Sequence, residues 1–137
     1  MIVIDTNILV YLSWRQSEAR LNQEADQVIK KDSRVLVPAL WRHEFLNALS
    51  QSVKHGVLDL NQASRLWAEA LALYESCEAP VDLWRAFELA QLLGLSTYDA
   101  QFVALAEHAN AFLITEDRRL RHAVGNRALS MKEYLAA

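Results

Sequence analysis

The opening stretch MIVIDTNILVY, residues 1–11, decides the fold. Met1 to Ile4 is wholly apolar and rich in β-branched residues, which suits a strand buried on both faces of a parallel sheet. The run ends at an acid, Asp5, and passes directly into a helical pattern. Parallel strands need crossover connections, so a buried strand that turns at once into a helix reads as the start of an α/β unit. Val35-Leu36-Val37 and Ala111 to Ile114 repeat the apolar signature and predict two more strands, and Cys77 to Val81 is a further candidate.

Helical patterns fill the intervals. A polar one covers Ala19 to Lys31. Another opens at Pro38, where a proline suits a first turn, and places Trp41, Phe45, Ala48, Leu49 and Val53 on one face. Asn61 reads as the N-cap of a helix burying Ala63, Leu66, Trp67, Ala70 and Tyr74, and Asp82 as the N-cap of one running to Gly94. Ser96 or Thr97 starts a helix through His108, and Ser130 with Glu133 forms a capping box for a short terminal helix. The order strand, helices, strand, helices, strand predicts an α/β domain with right-handed crossovers.

Composition bounds the function. At 137 residues the chain fits a single domain, 1–137, and 53% apolar with 23% charged residues excludes a disordered or fibrous chain. Three glycines and two prolines leave little room for long loops. A lone cysteine, Cys77, excludes an intramolecular disulfide and cysteine-based zinc sites, and the natural compartment is a reducing cytoplasm. No stretch has the roughly 18 uncharged apolar residues of a membrane span, and the N-terminus lacks the basic start of a secretion signal. His43, His55, His108 and His122 form no H-x-x-H pattern, which argues against zinc hydrolysis. Net charge is −3, so no overall basic field points to nucleic acid. From Thr115 to Lys132, however, five basic residues face two acids.

Four acids carry the chemistry. Asp5 follows the first strand and Asp117 lies just past the last, so parallel strands bring both to the carboxyl edge, where ligands bind in open sheets. Each also precedes a helical pattern and suits an N-cap. Asp99 precedes Phe102, Val103 and Ala106 on a buried stripe, and Glu44 flanks Trp41, Phe45 and Ala48; a first-turn acid favoured by the helix dipole and a boundary charge reaching water are the competing roles. Four converging carboxylates would raise one another's pKa unless a cation sat among them, and all-oxygen ligation suits Mg²⁺ or Mn²⁺.

The segments IDTNILVY, LWRHEFLNAL, STYDAQFVALA and LITEDRRL, in that order across nearly the whole chain, resemble a PIN-domain ribonuclease, and among these most closely the VapC toxins of toxin-antitoxin pairs. The resemblance implies a three-layer α/β/α domain around a twisted parallel sheet of about four or five strands. It implies that Asp5, Glu44, Asp99 and Asp117 form a catalytic metal site for Mg²⁺ or Mn²⁺, with Thr6 and Asn7 shaping the first loop and Thr115 as the hydroxyl neighbour of Asp117. Glu116, in T-E-D, departs from the small or neutral residue expected there and is either an added ligand or a surface acid. The implied activity is metal-dependent endonucleolytic cleavage of single-stranded RNA, leaving 5′-phosphate and 3′-hydroxyl ends. The implied partners are RNA, a cognate antitoxin and a second copy in a homodimer. Arg118, Arg119 and Arg121 are placed to meet phosphates, and Tyr98 to stack on an unpaired base or to sit in the core or rim. The competing reading is a noncatalytic PIN-fold module that binds RNA or a regulatory partner, and metal-dependent cleavage separates the two.

Overall fold

In the computed structural model, which describes residues 1–137, strand β1 (Ile2–Ile4) is buried along its whole length. Successive side chains of a strand point to opposite faces, and those of β1 seed both halves of the core. Ile2 and Ile4 join Ile8, Val28, Trp41, Phe45 and Ile114, whereas Val3 joins Leu89, Phe102, Leu105 and Leu113.

The sheet has four parallel strands in the order β2-β1-β3-β4, with β2 at Val35–Leu36, β3 at Phe112–Ile114 and β4 at Ala128–Leu129. Ile2 pairs with Val35 on one side and with Phe112 on the other. Helices α1 (Thr6–Ser13), α2 (Ala19–Lys31), α3 (Trp41–Lys54), α4 (Leu60–Tyr74) and α8 (Met131–Ala136) supply the first half of the core. Helices α5 (Leu83–Leu93), α6 (Thr97–Ala109) and α7 (Arg118–Val124) supply the second. The result is the expected α/β/α sandwich. No helix is long and apolar enough to cross a membrane.

Most predicted elements are present, and four details differ, the first being that α3 begins at Trp41 and leaves Pro38 in the loop before it. Cys77 to Val81 is not a strand of the sheet: Glu75–Cys77 forms a 3-10 turn, and Glu78 makes one isolated bridge to Val37. Pro80, which has no N–H to donate, follows directly. The fourth strand is instead Ala128–Leu129, too short to carry a sequence pattern. Asp59 rather than Asn61 caps α4, because Gln62, three residues on, completes a capping box with it: Gln62 N donates to Asp59 Oδ1 at 2.8 Å. The caps Asp82 and Ser130 stand as predicted, and of Ser96 and Thr97 it is Ser96 that caps α6.

Chain direction fixes where a ligand can sit. From β1 the chain crosses to β2 on one side, and β3 adds on the other side of β1. The reversal lies between β1 and β3, and the crevice at their carboxyl ends is the binding position of open parallel sheets.

Candidate active site

Asp5 stands at that crevice. Its backbone N–H donates to the Ile114 carbonyl at 2.9 Å, which binds the end of β1 to β3. Its Oδ1 accepts from Thr6 N at 2.7 Å and caps α1, and its Oδ2 accepts from the Thr115 hydroxyl at 2.7 Å. Thr115 is fully buried, and its hydroxyl oxygen also accepts from Asp117 N at 3.1 Å. One buried hydroxyl therefore sets the spacing of two acids that are 112 residues apart (117 − 5). Asp117 Oδ1 in turn accepts from Arg119 N and Leu120 N at 2.9 and 3.1 Å, capping α7.

The other two acids come from opposite layers. Glu44 lies in the first turn of α3, and its Oε1 accepts from Thr6 Oγ1 at 2.7 Å. Asp99 lies in the first turn of α6, where its backbone N–H donates to the cap Ser96 Oγ at 3.0 Å. All four acids, with Thr6 and Asn7, line one open cleft of about 920 Å³. The capping role of Asp5 and Asp117 and their place in the cleft thus coexist, because a carboxylate has two oxygens and the cap engages one.

Burial first, and crowding second, raises the pKa values of three of these acids. Burial is the largest cause lifting Asp5 to about 6, with the charges of Asp99 and Asp117 adding and the Thr115 and Thr6 hydrogen bonds opposing. Burial likewise lifts Glu44 to about 7, with Asp5 and Asp99 adding and the Thr6 bond opposing. Asp99 is raised by burial and then by Asp117, against the Ser96 bond and the Arg119 charge.

The donor set fits a hard divalent cation: four carboxylates and no sulfur or imidazole ligand among the predicted residues. Asn7 Oδ1, on the cleft wall, is buried without a hydrogen-bond partner, an acceptor that a cation or its water would satisfy. The side chains do not close on one point, and no three of them meet at ion-binding distance. The fit is one of chemistry and placement. It is not a preformed cage.

Arg118 and Arg119 are exposed and line a second cleft of about 720 Å³ that shares Asp99 and Asp117 with the first. Arg121 differs: its guanidinium donates to the Thr115 carbonyl at 2.8 Å, it lines neither of these clefts, and it braces the loop after β3. Glu116 accepts from Met131 N at 2.9 Å and lines no part of the acidic cleft, so it tethers α8. Tyr98, with 62% of its surface exposed, is a rim residue of the acidic cleft. Three further lining residues, Tyr11, His43 and Asn47, were not singled out in the sequence. Helical spacing carries the signal for two: Tyr11 is four residues after Asn7 and Asn47 three after Glu44, which puts each pair on one face.

The chain is similar to known proteins over most of its length. The family description "PIN domain" matches residues 2–126. Ribonuclease VapC3 of Pyrobaculum aerophilum is 30% identical over 105 residues, covering 72% of this chain and 78% of the relative. Exonuclease VapC9 of the same organism is 32% identical over 95 residues, covering 69% and 71%. Among solved structures, a Pyrobaculum aerophilum protein superposes with a TM-score of 0.76 at 24% identity, covering 98% of this chain and 93% of that one. FitAcB from Neisseria gonorrhoeae gives 0.69 at 19% identity, covering 96% and 99%. A toxin-antitoxin complex from Klebsiella pneumoniae gives 0.64 at 21% identity, covering 96% and 98%. At these identities the structural likenesses establish the fold alone.

Proposed function

The chain belongs to the PIN domain family, and on that premise we propose that it is a metal-dependent endoribonuclease that cuts single-stranded RNA as the toxin of a toxin-antitoxin pair. The observation that carries this reading is the gathering of Asp5, Glu44, Asp99 and Asp117 into one cleft at the β1/β3 reversal. The names of the two Pyrobaculum aerophilum relatives, a ribonuclease and an exonuclease, support nucleic-acid hydrolysis.

Asp5, Glu44, Asp99 and Asp117 would hold Mg²⁺ or Mn²⁺, with Asn7 Oδ1 as a further acceptor. When bound, such an ion supplies Lewis acidity, lowering the pKa of a water and neutralising charge on the phosphodiester. The chain's own residues do the rest. The Thr115 hydroxyl keeps Asp5 and Asp117 in register, and the Thr6 hydroxyl keeps Glu44 against α1. Arg118 and Arg119 line a cleft with Asp99 and Asp117, which supports a role for them in meeting a phosphate flanking the reacting one. Attack of water on phosphorus breaks the bond to the 3′ oxygen, which leaves with a proton, giving 5′-phosphate and 3′-hydroxyl ends.

An antitoxin that silences the site and a homodimeric state belong to the same reading. Trp84, Phe87 and Leu83 leave an apolar face on α5 that supports self-association. The deciding experiment is cleavage of single-stranded RNA by the purified protein with Mg²⁺ or Mn²⁺. Cleavage is expected to stop with chelator and with Asp5, Asp99 or Asp117 changed to Asn, and to fall with Glu44→Gln. Cleavage that survives chelator and Asp99→Asn, or 2′,3′-cyclic phosphate products, would overturn the mechanism.

A further inference from the structure

The acidic cleft is larger than an ion and a phosphate require. Its volume of about 920 Å³ lies within the range of sites that hold whole small molecules, roughly 300–1,000 Å³. Beyond the acids its wall carries groups of another kind: Tyr98 from α6, His43 and Asn47 from α3, and Leu40 just before α3. Helices α3 and α6 belong to opposite layers of the sandwich, so these groups approach the cleft from its two sides.

We propose that this part of the cleft is a base-reading pocket, in which Tyr98 and His43 stack on an unpaired nucleobase next to the scissile phosphate and Asn47 reads its hydrogen-bonding edge. The assignment rests on the nuclease reading, which it deepens by naming the group that confers sequence preference.

Three features carry it. Tyr98 is 62% exposed although it directly precedes Asp99, so its ring contributes little to the core and stands open at the rim of the cleft. An exposed planar ring costs the folded chain apolar hydration, and stacking on a base removes that surface from water. Asn47 lies three residues after Glu44 and four after His43, on one face of α3, at about 5–6 Å between neighbouring Cβ atoms. His43 and Asn47 line the cleft together with Glu44, so a nucleoside lodged there would face both. Finally, an asparagine offers both a carbonyl acceptor and an N–H donor pair, the combination that distinguishes bases by their edges, whereas a ring alone stacks on any of them.

The test measures binding of fluorescent ten-residue oligo-A, oligo-C, oligo-G and oligo-U to the full chain by anisotropy, alongside metal-dependent cleavage of an RNA with randomised sequence. The wild type is expected to favour one base in both assays. Asn47→Ala is expected to level that preference. Tyr98→Ala is expected to weaken binding of every oligomer, roughly 5- to 150-fold on the strength of base–aromatic stacking, while Tyr98→Phe restores it. In cleavage, the Tyr98→Ala loss should fall mainly on KM. Equal affinity for all four oligomers, or a preference that survives both Asn47→Ala and Tyr98→Ala, would overturn the pocket while leaving the nuclease reading to stand on cleavage. Base-selective binding that Asn47→Ala abolishes, in a protein that cuts nothing, would sustain the pocket and sink the nuclease.

Discussion

At the scale of single residues, Asp5 and Glu44 make the metal-free protein an unusual acid. Their folded-state values of about 6 and about 7 lie above the 3.8 and 4.5 of the free groups. Between about pH 4 and 7 the native state therefore holds protons that the unfolded chain has lost, so stability falls as pH rises through this window. Asp32, Glu78 and Glu107, which are lowered by their hydrogen-bonded partners, work in the opposite sense only at more acid pH. In chelator, melting temperature is expected to drop from pH 5.5 to pH 8, and saturating Mn²⁺ at pH 8 to recover it by binding the folded state alone. A melting temperature that climbs over this range without metal would contradict the burial of Asp5 and Glu44 as charged groups. Thr115→Val removes both the donor to Asp5 and the acceptor for Asp117 N. It should destabilise the fold by about 1–3 kcal/mol and push the pH midpoint for metal binding upward, and Thr115→Ser should largely restore both. The acids were legible in the sequence because each sits at an element boundary. The hydroxyl clamps were legible only through family likeness, because which oxygen bonds to which acid depends on a contact across 110 residues.

Among the elements, legibility followed length and local chemistry. β1 and β3 announce themselves as apolar runs and α8 by its capping box, whereas β4, two residues long, has no room for a pattern. At the start of α4 two residues of similar capping ability compete, and the choice is made by Gln62, which can reciprocate only with Asp59. Asp59→Ala is accordingly expected to destabilise the protein by about 1 kcal/mol, lowering the melting temperature by about 2–5 °C, while Asn61→Ala leaves it nearly unchanged. Calorimetry giving the reverse order would restore Asn61 as the cap. Glu116 shows how an element can claim a residue that sits within a functional motif. Its bond to Met131 N ties α8 to the loop carrying Asp117, so Glu116→Ala should loosen the terminal helix, seen as faster hydrogen exchange in α8.

For the molecule as a whole, charge and apolar surface decide what it meets. Neutralising the four site acids turns the net charge of −3 into +1 (−3 + 4), so a loaded site need not repel RNA. Apolar surface is distributed less evenly. Of the four tryptophans, Trp41 is fully buried and Trp14 and Trp67 are half-buried, but Trp84 is 68% exposed. It stacks on Phe87 with ring centroids 4.9 Å apart, beside Leu83 at 64% exposure, so one face of α5 is a continuous apolar patch. Composition alone predicts that some large apolar residues stay outside, but only the fold concentrates them on one helix. On the proposed reading of the chain as a homodimer, a two-fold contact would let this patch cover itself. Arg85 extends from the same helix into an exposed ion pair with Glu107 of α6. Sedimentation at tens of micromolar is expected to give the mass of two protomers, and Trp84→Asp to give one, since an aspartate at the centre of the patch would lie unpaired and desolvated in the contact. A wild-type protein that stays monomeric at that concentration would show that this face is covered by a different molecule or by none.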